Sequence, residues 1–145
     1  MASILTAQQV REFISDYPDK NLLLDDIEFS DGFIELSMNM AVSEFNTMTP
    51  RSNFMTGNFP SLSILMFGTL WQMYSGRSAL MARNHLSYSD GGLQIPVEEK
   101  YELYKNLADN FKVQFMEAAS RLKVSLNMEA GWGNVRSDES TFPIW

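Results

Sequence analysis

From Leu62 to Tyr74 almost every position is apolar, and Leu62, Ile64, Leu65, Met66, Phe67, Leu70, Trp71, Met73 and Tyr74 leave no polar face. A helix that is apolar all round has to be enclosed on more than one side. The segment therefore calls for a bundle built around one central helix. It turns polar at Ser75, Gly76 and Arg77, continues through Leu80 and Met81, and predicts a helix ending near Asn84. With Gly68 and Gln72 also interrupting it, the run is too polar for a membrane span.

Three further helices are expected around it. Thr6 and Gln9 have the spacing of a capping box, and Val10, Phe13 and Ile14 give one apolar stripe, which predicts a short helix over about 7–16. Tyr17-Pro18 should end it, since a residue before proline is pushed out of helical geometry. Ser30 is a favourable N-cap with Asp31 in the first turn, and Ile34, Met38, Ala41 and Phe45 carry a stripe to about Asn46. The loop from Thr47 to Asn58 holds Met48, Phe54 and Met55, apolar groups that imply contact with the core. Asn58 and Pro60 are expected to open the central helix. Short alternating runs on either side of Asp90-Gly91-Gly92 signal a small β-hairpin. Pro96 then starts the longest helix, with a stripe of Tyr101, Tyr104, Leu107/Ala108, Phe111, Phe115, Ala119 and Leu122, and a Glu117–Arg121 pair at helical spacing. The fold class read from these patterns is mainly α: a bundle of about four helices with a hairpin-like loop.

The chain of 145 residues suits one domain. It has no cysteine, so disulfides and thiolate chemistry are excluded; this fits a reducing compartment. The first six residues lack the pattern of a secretory signal, and the chain reads as soluble. Its net charge of −7 comes entirely from residues 1–50, which carry nine acidic and two basic side chains. A surface built to neutralise phosphates needs the opposite balance. The single histidine, His85, has no serine or cysteine motif to serve, and Asp25, Asp26, Glu28 and Asp31 lack the spacing of a calcium loop. There is no phosphate-binding glycine pattern. No catalytic residue, metal site or cofactor is expected, and the chain reads as a structural or binding protein.

The sequence beyond Leu122 has a different character. Val124, Leu126 and Met128 alternate like a short strand, and Trp132, Phe142, Ile144 and Trp145 follow in a glycine-rich, polar context. Large apolar groups each cost roughly 1.5–3 kcal/mol to leave in water. Residues 1–122 are accordingly read as the bundle, and residues 123–145 as an extended arm that docks on a neighbouring subunit or another protein through Val124, Leu126, Met128, Trp132, Phe142, Ile144 and Trp145.

The order of parts, with "FSDGFIELSMNMAVSEFN" at 29–46, "LWQMYSGRSALMARN" at 70–84 and "ARNHLSYSDGGLQI" at 82–95, resembles the head–tail connector (adaptor) proteins of tailed bacteriophages over roughly residues 6–122. The resemblance implies a virion protein made in the host cytoplasm that forms a ring of twelve subunits. Its arm would dock on the portal protein, with a neighbouring neck or tail protein as a further partner. It also implies a central channel through which genomic DNA passes without sequence-specific binding, and no membrane, cofactor or catalytic residue. On that reading Asp25, Asp26, Glu28 and Asp31 face the channel, where an acidic wall keeps DNA from sticking. The alternatives are another neck, tail-completion or baseplate ring protein, and, in a different class, a small cytoplasmic regulatory binding protein.

Overall fold

The computed structural model describes residues 2–21, 24–84, 89–90, 93–94 and 97–132. Four helices run through them: α1 (Ala7–Ile14), α2 (Asp31–Thr47), α3 (Leu62–Arg83) and α4 (Val97–Trp132). Between α3 and α4, β1 (Ser89–Asp90) and β2 (Leu93–Gln94) pair antiparallel, with Ser89 opposite Gln94 and Asp90 opposite Leu93. The protein is a mainly α bundle.

Local chemistry accounts for the helix ends. The Thr6–Gln9 capping box is formed in both directions, and α1 stops at Ser15, whose left-handed φ of 56° lets its amide reach back to the last turn. The helix thus ends at Ile14, before Tyr17-Pro18 and short of the expected residue 16. Ser30 caps α2 by accepting from the Phe33 amide. Ser61, not Asn58 or Pro60, is the N-cap of α3. The Asn58 side chain instead accepts from the Met55 amide in the preceding turn.

The central position expected for 62–74 is the one α3 occupies. It packs most extensively on α4 and next on α2, while α1 leans on α2. The three long helices come into tight contact at Gly68, where a β-carbon would lie 2.7 Å from the Ala41 methyl and 2.8 Å from the Phe115 ring. Around this point Ile34, Ala41, Phe45, Leu65, Leu70, Met73, Phe115 and Ala119 form a continuous buried core. An aromatic ladder runs along one side of α3: Tyr74 stacks on Phe111 and on Tyr104 with both centroid distances at 5.9 Å, and Phe29 meets it edge-on.

The loop before α3 closes the other end. Asn46 holds it by donating to the Phe54 carbonyl and accepting from both the Phe54 amide and the Ser52 hydroxyl. Phe54 and Met48 pack on the core as expected of them, and Phe54 and Phe59 meet the Phe45 ring edge-on. Met55 does not: it is 68% exposed. Leu24 is also exposed; its neighbours Leu22 and Leu23, and His85, lie outside the described residues.

The longest helix extends further than its stripe suggests. α4 continues for ten residues beyond Leu122, with Leu122 and Leu126 both packed against the core at i, i+4. Val124, Leu126 and Met128 are therefore helical and not the start of a strand. The change from bundle to another kind of structure does not fall at residue 123. The helical stripe itself holds for Ala108, which is buried, while Leu107 turns outward.

Candidate functional site

The acidic stretch divides into two pairs with different roles. Asp25 and Asp26 are exposed; Asp25 adopts a φ of 49°, and the Asp26 carboxylate accepts from the next amide at Ile27. Glu28 is partly buried and Asp31 is exposed, and both are paired with an arginine. Asp31, at the first position of α2, accepts from the Arg11 guanidinium of α1. Glu28 accepts from Arg77 Nε of α3 at 2.9 Å and from the Tyr104 hydroxyl of α4. Arg77 also lies over the Phe29 ring, 5.6 Å from its centroid.

Asp16 organises this region, although by sequence it is one more carboxylate in an acidic front end. It is 3% exposed and accepts from Arg11 Nη1 at 3.2 Å, Asn21 Nδ2 at 2.7 Å, the Glu28 amide at 2.7 Å and the Phe29 amide at 3.0 Å. A buried carboxylate tolerates burial only with its lone pairs filled in this way. The effect is to pin the segment before α2, which in turn sets Glu28 between α3 and α4. Nothing in the spacing around Asp16 signals this role; an Arg five residues earlier at the end of an amphipathic helix is the sole hint.

Glu28, Arg77 and Tyr104 border an open cleft of about 430 Å³ that Lys20, Leu24 and Met81 also line. Burial, and then the hydrogen bond to Glu28, push the Tyr104 phenol well above its ordinary value. Tyr74 is raised as well, by burial first and then by the charges of Glu28 and Asp16. Both phenols thus stay protonated, as donors and stacking surfaces, and neither is poised as a base.

Of the arm residues, Val124 and Met128 are exposed on the outer face of α4, and Leu126 is turned toward the core. Trp132 is the last residue of α4; Phe142, Ile144 and Trp145 lie outside the described residues. Lys123, the residue at which the arm was expected to begin, belongs to the bundle. It is 2% exposed, its ammonium donates to the Pro50 carbonyl at 2.8 Å and to Ser52 Oγ at 2.6 Å, and it sits 4.4 Å above the Phe45 ring. Desolvation lowers its pKa.

Among the described residues no group of His, Cys, Asp or Glu is placed to hold a metal ion, and no helix is long and apolar enough to cross a membrane. The chain matches no family model, no curated protein and no solved structure.

Proposed function

We propose that the chain is a ring subunit of the head–tail junction of a tailed phage, docking beneath the portal and acting by assembly, without catalysis. The observation that carries the reading is the layout of the bundle. The packed cluster of described residues runs from Ile4 to Leu126, and a Trp/Phe/Ile-bearing sequence follows it. The docking segment is accordingly shorter than the pattern of alternation suggests, with Trp132, Phe142, Ile144 and Trp145 as its anchors. An added strand or an inserted aromatic side chain would be its means of attachment.

The charge distribution supports the channel role for part of the acidic stretch. Asp25 and Asp26 are exposed and free to line a passage for DNA, whereas Glu28 and Asp31 are engaged with Arg77 and Arg11. The wall would then be formed by Asp25 and Asp26. Host-cytoplasmic synthesis, a ring of twelve and a second contact to a neck or tail protein follow from the same reading.

The test is deletion of residues 133–145. The shortened chain is expected to keep its helical circular dichroism and its urea midpoint, and to lose co-sedimentation with portal-containing particles. Retained incorporation would sink the docking role, and loss of the helical signal would assign the segment to the chain's own core.

A further inference from the structure

A second periodicity runs along the outer face of α4, away from the core side carrying Ala108, Phe115 and Ala119. Its ends are apolar, with Leu103 and Leu107 at one and Val124 and Met128 at the other, all exposed. Between them lie Asn110, Gln114, Glu117 and Arg121, also exposed. Taken in order, these eight positions alternate in steps of four and three residues over roughly 38 Å of helix, the spacing of a heptad whose four outer positions are apolar and whose four inner positions are polar. Leu103 is 61% exposed and Val124 59%, so each end of the face presents a pair of apolar side chains one turn apart to solvent.

The seam is palindromic in polarity. Counted inward from its two ends, Leu103 corresponds to Met128, Leu107 to Val124, Asn110 to Arg121 and Gln114 to Glu117. Each correspondence joins an a position to a d position, which is how facing layers are made when two helices run in opposite directions. We propose that this face binds a second copy of the chain, α4 against α4 and antiparallel, about a two-fold axis passing between Phe115 and Met116. Self-complementarity of one patch is what a two-fold contact requires. Charge selects the direction. A parallel, in-register pair sets Glu117 on Glu117 and Arg121 on Arg121, whereas the antiparallel pair sets each against a neutral amide, Gln114 and Asn110. Each Glu117 also keeps its own Arg121, 3.8 Å away on the same helix. The apolar layers then close at both ends, with the polar layers fixing register at the centre, a use of buried polar positions known from coiled coils.

A two-fold contact closes on itself and builds no cyclic ring. The pairing therefore stands apart from the connector reading, and its failure leaves that reading untouched.

The chain has no cysteine, so introduced thiols report this contact alone. In the full-length protein, Leu107→Cys combined with Val124→Cys is expected to give a covalent dimer on mild oxidation. Each single variant should stay uncross-linked, since antiparallel packing leaves the two copies of one position about 26 Å apart. Sedimentation equilibrium of the unmodified chain, up to roughly 100 µM for a contact at the small end of stable interfaces, should show monomer and dimer. Leu107→Glu, an exposed position whose change leaves the helical signal intact, should remove the dimer. Adding Val124→Lys to that variant should restore it, because the new charges then face each other. A monomer at every concentration, a dimer indifferent to Leu107→Glu, or cross-linking by a single-cysteine variant would overturn the proposal.

Discussion

The Lys123 ammonium donates to the carbonyl oxygen of Pro50 at 2.8 Å, across a sequence separation of 73 residues. That contact fastens the second half of α4 to the loop between α2 and α3. With Ser52 Oγ and the Phe45 ring it makes a small polar site on an otherwise apolar wall. A buried ammonium without such partners would be strongly disfavoured.

Lys123→Met keeps the aliphatic stem and removes the donor. Two acceptors lose their partner, which is expected to lower stability by about 1–3 kcal/mol. Lys123→Ala should cost more, because it also empties the space above Phe45. Urea unfolding followed by circular dichroism measures both, and equal midpoints for Lys123→Met and the parent would show that the contact contributes nothing.

Asp16→Ala is expected to be more damaging. It leaves Arg11, 9% exposed, with only the exposed Asp31 as a carboxylate partner, and it orphans the Glu28 and Phe29 amides. Breaking one side of a buried ion pair costs about 3–5 kcal/mol. Asp31→Ala, which removes the solvent-facing partner, should cost about 1 kcal/mol or less. The order of the two urea midpoints is the check.

How much of this was legible in the sequence depended on whether the signal was local. Thr6 with Gln9, and Ser30 with Asp31, are caps formed within one turn, so the residues themselves announce them. The central place of α3 was legible because its apolar residues cover every side. Asp16 and Lys123 were hidden because their partners come from elsewhere in the chain, and a charged residue on an amphipathic helix looks the same whether it meets water or a carbonyl. The end of α4 resembles a strand in the sequence for a related reason. Val124 and Met128 point outward and Leu126 inward, so two faces of one helix imitate the alternation of a strand over five residues. The i, i+4 step from Leu122 to Leu126 was the better guide.

The two raised phenols set an alkaline limit on the fold. Below the ordinary tyrosine value of 10.0 both folded and unfolded chains keep these protons, and the full contribution is present. Above it the unfolded chain releases protons that folded Tyr74 and Tyr104 retain, so the folded state binds more protons and stability falls as pH rises. Urea midpoints should be flat for this pair up to about pH 10 and decline above it. Tyr104→Phe should make that decline shallower while lowering stability at neutral pH by about 1–2 kcal/mol, through loss of the donor to Glu28. An unchanged alkaline slope in the Tyr104→Phe chain would refute the assignment.

Gly68 and Gly131 predict opposite responses to the same change. Alanine is the better helix former at either position, by up to about 1 kcal/mol. At Gly68 the added methyl meets the Ala41 methyl at 2.7 Å and the Phe115 ring at 2.8 Å, so α2 or α4 has to move. Both neighbours are fully buried and have nowhere to yield. Overpacking of this kind costs typically 1–3 kcal/mol, and Gly68→Ala should therefore be a net loss despite the gain in propensity. At Gly131 nothing lies within 4 Å of the new atom, and Gly131→Ala should strengthen the last turn of α4 by a few tenths of a kcal/mol or more. Paired thermal melts decide it: a Gly68→Ala chain that melts at or above the parent would mean that the three helices are not as closely opposed as the Ala41–Gly68–Phe115 contact requires.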